Sequence, residues 1–318
     1  MKKIERILVE SKPVTAVREK SKRLFIPGFQ GLHLYEVWRF FIEQIKREGL
    51  NTRAAAISFN VIMAIPAACL FLFTLIPYFP VAKSIHNELI GVIANISPNE
   101  DTKKVISDFL DDFFNKPKTG LLSLGFLLAL FYTSNAMMGI IRSFDRSLMN
   151  RAKPKFLEKR LRAIKLTLIL VILFIGTAII SAGQGALFNF IMEKLSIKND
   201  STKALIQSLR WVVVVALFLY AVAFIYKFAP SVHKRWKLLS PGAILATFLM
   251  ILATWLFSLW AQNFSNYNKF YGSIGSLLII MTLIFINSLI LLIGYELNVS
   301  ISYLKQQIEK RKLKDSIN

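Results

Sequence analysis

Residues 274–299 read IGSLLIIMTLIFINSLILLIGYELNV, a run in which Glu296 is the sole charge. An α-helix rises about 1.5 Å per residue, so about 20 apolar residues cross about 30 Å of hydrocarbon, and this run is long enough. Five other stretches share its character: Ala54 to Phe79, Gly120 to Ile141, Leu166 to Met192, Trp211 to Tyr226 and Leu238 to Gln262. The fourth of the six runs, Trp211 to Tyr226, is the shortest and needs Leu209, Lys227 and Phe228 to complete a crossing. The sequence therefore predicts an all-α polytopic membrane protein with six transmembrane helices.

Composition agrees. Of 318 residues, 54% are hydrophobic, and a mean hydropathy of +0.50 is too oily for an ordinary soluble chain. The net charge of +21 would suggest nucleic acid in a soluble protein, but here the basic residues follow the membrane. Segments 1–53, 142–165, 227–237 and 300–318 hold 12, 9, 4 and 5 Lys or Arg, while 80–119, 193–210 and 263–273 hold 5, 4 and 1. The Lys/Arg excess marks the cytoplasmic face. Both termini are predicted to lie in the cytoplasm. This distribution accounts for the charge without nucleic acid. Anionic lipid headgroups on the cytoplasmic face are the partners it implies, at about 1 kcal/mol per basic residue near the surface. A homo-oligomer or an envelope partner is left open. The first apolar run begins behind a charged stretch, so a cleaved signal peptide is not expected. Cys69, the lone cysteine, cannot form an internal disulfide, and three His are too few for a Cys/His zinc site; no metal or cofactor is predicted.

Outside the spans, 1–31 reads as a basic cytoplasmic arm and 301–318 as a cytoplasmic tail. Within 32–50, Leu34, Val37, Trp38, Phe41 and Ile45 recur at helical spacing, with Gly49 as the stop. This is an amphipathic helix whose stripe lies either in the membrane interface or on the bundle. Residues 51–300 form the transmembrane domain. Its outer segment, 80–119, carries a second stripe of Val105, Ile106, Phe109, Leu110 and Phe113, either a lid or a mere covering.

Charged residues at the bilayer centre are costly and mark functional sites, but the centres of these runs have none. Arg53, Arg142, Asp145 and Glu296 fall at cytoplasmic helix ends, and neutral Asn60, Asn135, Gln184 and Asn287 lie deeper. They read as either a polar cavity above a basic rim or ordinary interhelical hydrogen bonding. Pro241-Gly242 and Tyr271-Gly272-Ser273-Ile274-Gly275 permit close helix approach or bending at two span entrances.

These residues resemble the YihY/BrkB family over about residues 35–300. The carriers are Thr52 to Phe59, Phe131-Tyr132-Thr133-Ser134-Asn135, Tyr226 to Pro230, Pro241-Gly242-Ala243, Tyr271 to Gly275 and Gly294-Tyr295-Glu296-Leu297-Asn298. Asn60 and Met281 stand where the family usually has Tyr and, nearby, Trp. The resemblance implies a six-helix, multi-pass protein of the bacterial inner membrane, for which envelope and lipid-transport roles have been proposed. It also brings the label ribonuclease BN. Phosphodiester hydrolysis wants clustered metal ligands or paired His, whereas His33, His86 and His233 are scattered. The sequence points away from an enzyme and toward a transporter or translocase for an amphiphile such as a lipid or lipid-linked precursor. Arg53 and Arg142 would hold the headgroup, and Asn135 and Asn287 would line the path. Asp145, Gln184, Tyr271, Gly272 and Glu296 complete the candidate site. A non-transporting envelope scaffold is the alternative. No Walker motif is present.

Overall fold

The computed structural model describes residues 34–47, 49–75, 119–148, 155–182, 200–232, 236–262 and 273–315, together with 32, 78, 90, 104–108 and 110–111. Its helices in chain order are α1 (Leu34–Arg47), α2 (Leu50–Leu75), α3 (Thr119–Ser147), α4 (Phe156–Ala182), α5 (Asp200–Phe228), α6 (Pro241–Gln262) and α7 (Ser273–Asp315). Among the described residues there is no strand. In five of the helices, α2, α3, α5, α6 and α7, the described residues are long and apolar enough to cross a membrane. The predicted third span begins in α4, and its residues 183–192 lie outside the described residues. The short fourth run sits inside a 29-residue helix, so residues on its N-terminal side extend it.

The six long helices form a ring. Each of α2 to α6 packs on its successor, and α7 closes the ring against α2 while also touching α3. Large apolar side chains such as Phe59, Leu127, Ile172 and Phe248 face outward, as lipid-facing surfaces do. Polar side chains within the spans are largely satisfied on their own helices: Ser58 Oγ donates to Ala54 O at 2.7 Å and Asn60 Nδ2 to Ala56 O at 2.7 Å. Pro66 lies inside α2.

Packing is tightest at one end of the ring. There the starts of α2, α4 and α6 meet the ends of α3 and α5 and the second half of α7. An aromatic cluster fills the centre: Phe144 and Tyr295 stack 3.8 Å apart, Tyr226 meets both edge-on, and Trp236 covers Tyr295 at 5.3 Å. Tyr226 Oη donates to Leu291 O at 2.6 Å.

Glycine sets the α6–α7 distance. A Cβ on Gly242 would come within 2.0 Å of Gly294 O, and one on Gly294 within 2.6 Å of Gly242 O. The Pro241-Gly242 pair therefore serves close packing here. Ser240 caps α6 through Ala243 N at 3.3 Å, and Pro241 occupies the first turn. Asn298 of α7 joins this cap, accepting from Gly242 N at 2.9 Å and donating to Ser240 Oγ at 2.8 Å.

The stripe of α1 lies on the bundle. Val37 and Phe41 are buried against Leu297 and Ile301 of α7, while Trp38 remains exposed. Gly49 stops α1 as expected, with φ +57, the left-handed conformation glycine adopts without strain. Residues 301–315 of the expected cytoplasmic tail are helical: α7 runs unbroken through Asp315, since residues 300–315 contain neither Gly nor Pro and Lys305 pairs with Glu309 one turn on. In the outer segment, 104–108 and 110–111 are helical; Val105 and Ile106 are exposed and Leu110 is buried. Phe109 and Phe113 lie outside the described residues.

Candidate functional site

The first turn of α2 places Arg53 inward, and α7 places Glu296 opposite it. Arg53 Nη1 donates to Glu296 Oε1 at 2.9 Å, with the side chains 3% and 0% exposed. The second guanidinium nitrogen reaches the last turns of α3, donating to Ser143 O and Ser147 Oγ, both at 2.6 Å. Ser147 Oγ donates in turn to Glu296 Oε1. One arginine thus ties three helices at a single point. A buried guanidinium is retained in apolar surroundings when a carboxylate and further acceptors meet it, and here a carboxylate, a backbone carbonyl and a hydroxyl do so.

A second junction lies beside it. Asp145 is buried, accepting from Lys159 Nζ of α4 at 2.7 Å and from Ser231 N and Oγ at 2.8 and 3.0 Å. Arg162 Nη1 donates to Ser231 Oγ at 3.0 Å and to Pro230 O at 3.3 Å. This links α3 and α4 to the segment after α5. The two junctions make a charged layer across the packed end of the ring.

The predicted site residues are only partly brought together. Arg53 and Glu296 form a direct pair with Asp145 in the adjacent junction, but Arg142 points to the outside of the bundle and is exposed. Arg53 and Arg142 therefore do not share one headgroup site: Arg53 is withdrawn and already neutralised. The reason is register, since Ser143 and Ser147 lie on the inner face of α3 and Arg142 is turned away. Asn135 is half-buried and accepts from Arg160 Nη1 of α4. Asn287 donates to Leu283 O of its own helix at 3.0 Å. Gln184, Tyr271 and Gly272 lie outside the described residues. Sequence reasoning missed Ser143, Ser147, Lys159, Arg160, Arg162 and Ser231. The serines carry no pattern of their own, and the three cations were counted as part of a basic loop.

A groove of about 730 Å³ runs between α1 and the end of α7, lined by Arg39, Phe40, Gln307 and Arg311 among others. Among the described residues no three His, Cys, Asp or Glu side chains gather as metal ligands would.

An all-helical ring with outward-facing apolar surfaces and a buried ionic layer at one end defines an integral membrane protein. The sequence model of the family described as virulence factor BrkB matches residues 41–317, and the chain belongs to that family. It is 25% identical to the putative ribonuclease-like protein YfkH of Bacillus subtilis, covering 78% of this chain and 88% of that one. It is 24% identical to a UPF0761 membrane protein of Haemophilus influenzae, covering 85% and 96%. A UPF0761 membrane protein of Xanthomonas campestris is 22% identical, with 87% of this chain covering 62% of that longer one. No solved structure matches.

Proposed function

We propose that the protein is a six-span transporter or translocase of the bacterial inner membrane, with an amphiphile such as a lipid or lipid-linked envelope precursor as cargo and the Arg53–Glu296 junction as its inner gate. The observation carrying this reading is a buried ion pair that holds α2, α3 and α7 together at one end of the ring. Well-packed apolar residues of similar volume often serve stability equally well, so a charged junction at this place suits a joint that opens. Separating Arg53 from Glu296 frees three helices at once, the kind of two-state element on which transport cycles rest.

The topology draws support from α1 and the second half of α7 packing together at the end of the ring where the basic segments emerge. The apolar run of α4 continues in sequence to Met192, which favours six crossings. Reporter domains fused at the two ends should both report the cytoplasm; opposite faces would overturn the topology.

Transport is tested in proteoliposomes of mixed anionic and zwitterionic lipid bearing a headgroup-labelled lipid. The protein should move the label between leaflets faster than protein-free vesicles, and Glu296→Gln should change the rate several-fold. No movement above the protein-free level would overturn the transport reading. A scaffold that anchors envelope machinery is the second reading, favoured by the mutual pairing of Arg53 with Glu296 and Asp145 with Lys159 and by the self-satisfied Asn287. The ribonuclease-like name belongs to a relative and is not carried to this chain.

A further inference from the structure

Arg160 is used by neither buried junction. It leaves the start of α4 and lies over α3, its guanidinium carbon 5.0 Å from the centre of the Phe131 ring and its Nη1 donating to Asn135 Oδ1. Both partners are neutral. Among the described residues no carboxylate pairs with Arg160: Asp145 is taken by Lys159 and Ser231, Glu296 by Arg53 and Ser147, and Glu158 lies about 200° around α4 from it. The place is a lipid-facing one. Phe131 is 52% exposed, and Leu127 and Leu124 continue the same exposed face of α3 away from the packed end. In the other direction that face carries Arg142, also exposed, seven residues or about 10 Å beyond Asn135. A half-buried cation thus sits below a second cation, at the head of an apolar column, on the outside of the ring.

From this arrangement we infer that the seam between α3 and α4 binds an anionic phospholipid. Its phosphate is held by the Arg160 guanidinium, with Arg142 at the rim, and an acyl chain lies along Phe131, Leu127 and Leu124. Arginine suits the task because its planar fork meets phosphate oxygens two at a time and remains charged in apolar surroundings. A phosphate supplies the counter-charge that the neutral Asn135 and Phe131 do not. Free phosphate would match the guanidinium but leave the apolar column uncovered, so a lipid is the occupant that fits both. The site lies outside the ring and stands whether or not the protein moves cargo.

The test is native mass spectrometry of the full-length chain in detergent, with phosphatidylglycerol and phosphatidylcholine of identical acyl chains added in turn. The wild type should prefer the anionic lipid, and Arg160→Gln and Arg142→Gln should each lower that preference about fivefold, the effect of one basic residue at a lipid surface. Arg142 is exposed, so its replacement does not threaten the fold. Arg39→Gln, on the far α1 surface and paired with Glu43, should leave the preference unchanged. A preference unaltered in both the Arg160 and Arg142 variants would overturn the inference. So would displacement of the lipid by inorganic phosphate at equal concentration, which would make the occupant a small anion.

Discussion

Replacing Glu296 with Leu leaves Arg53 charged, buried and facing an apolar side chain. At 2.9 Å the Coulomb attraction removed is about 6 kcal/mol for an effective dielectric of about 20. Part of that gain offsets the cost of taking both ions from solvent, so the measured loss should be about 3 to 5 kcal/mol, as for other buried pairs broken on one side. The Ser147 hydroxyl loses its acceptor as well. Arg53→Met should cost a similar amount, because it strands the Glu296 carboxylate. Combining the two substitutions removes both stranded charges, and the double variant should lose less than either single one. Thermal challenge in detergent followed by size-exclusion recovery reads this out. The single variants should fall on the order of 10 °C below wild type if the chain follows the scaling of soluble domains, with the double variant in between. A double variant whose loss equals the sum of the singles would refute the reasoning, since additivity means no direct coupling.

Two further outcomes follow from the packing. Gly242→Ala puts a methyl 2.0 Å from Gly294 O, forcing α6 from α7 and straining the Asn298 bond; it should cost about 1 to 3 kcal/mol or more, read in the same thermal assay. Gly120→Ala, with no atom of the described residues within 4 Å of its Cβ, should be neutral or slightly stabilising. Among the described residues Asn287 bonds only within its helix, so Asn287→Leu should alter stability by no more than about 0.5 kcal/mol while slowing lipid movement several-fold. An unchanged rate in proteoliposomes would remove Asn287 from the cargo path.

The helices were legible because their signal is additive: a run such as 274–299 declares itself whatever it packs against. Gly49 was legible for a similar local reason, as a stop between two helical patterns, and φ +57 bears it out. Pairing was not legible. Nothing local in Ser143 or Ser147 says that they lie on the inner face of α3, 149 positions from Glu296 in the case of Ser147. Arg142 and Arg53 look alike as basic residues at span ends, yet a rotation about one helix axis separates an exposed cation from a buried one. Asn298 and Gly294 stood in one short motif, and the motif hid two different tasks: Gly294 admits α6, and Asn298 holds its first turn. The end of α7 was not legible for a different reason. A polar composition after Ser300 signals departure from the membrane and carries no instruction to stop the helix.

That continuity gives α7 a mechanical property. Its 43 residues make a rod about 65 Å long, roughly twice the hydrocarbon thickness. Glu296 sits near its middle, and the final turn projects about 28 Å further. Pivoting by about 10° at the Glu296 joint would swing that tip by about 5 Å, while the α1 face seated on Leu297 and Ile301, close to the pivot, would move by only about 1 Å. A small rotation at one buried carboxylate would thereby be enlarged at the far tip of the longest helix in the ring.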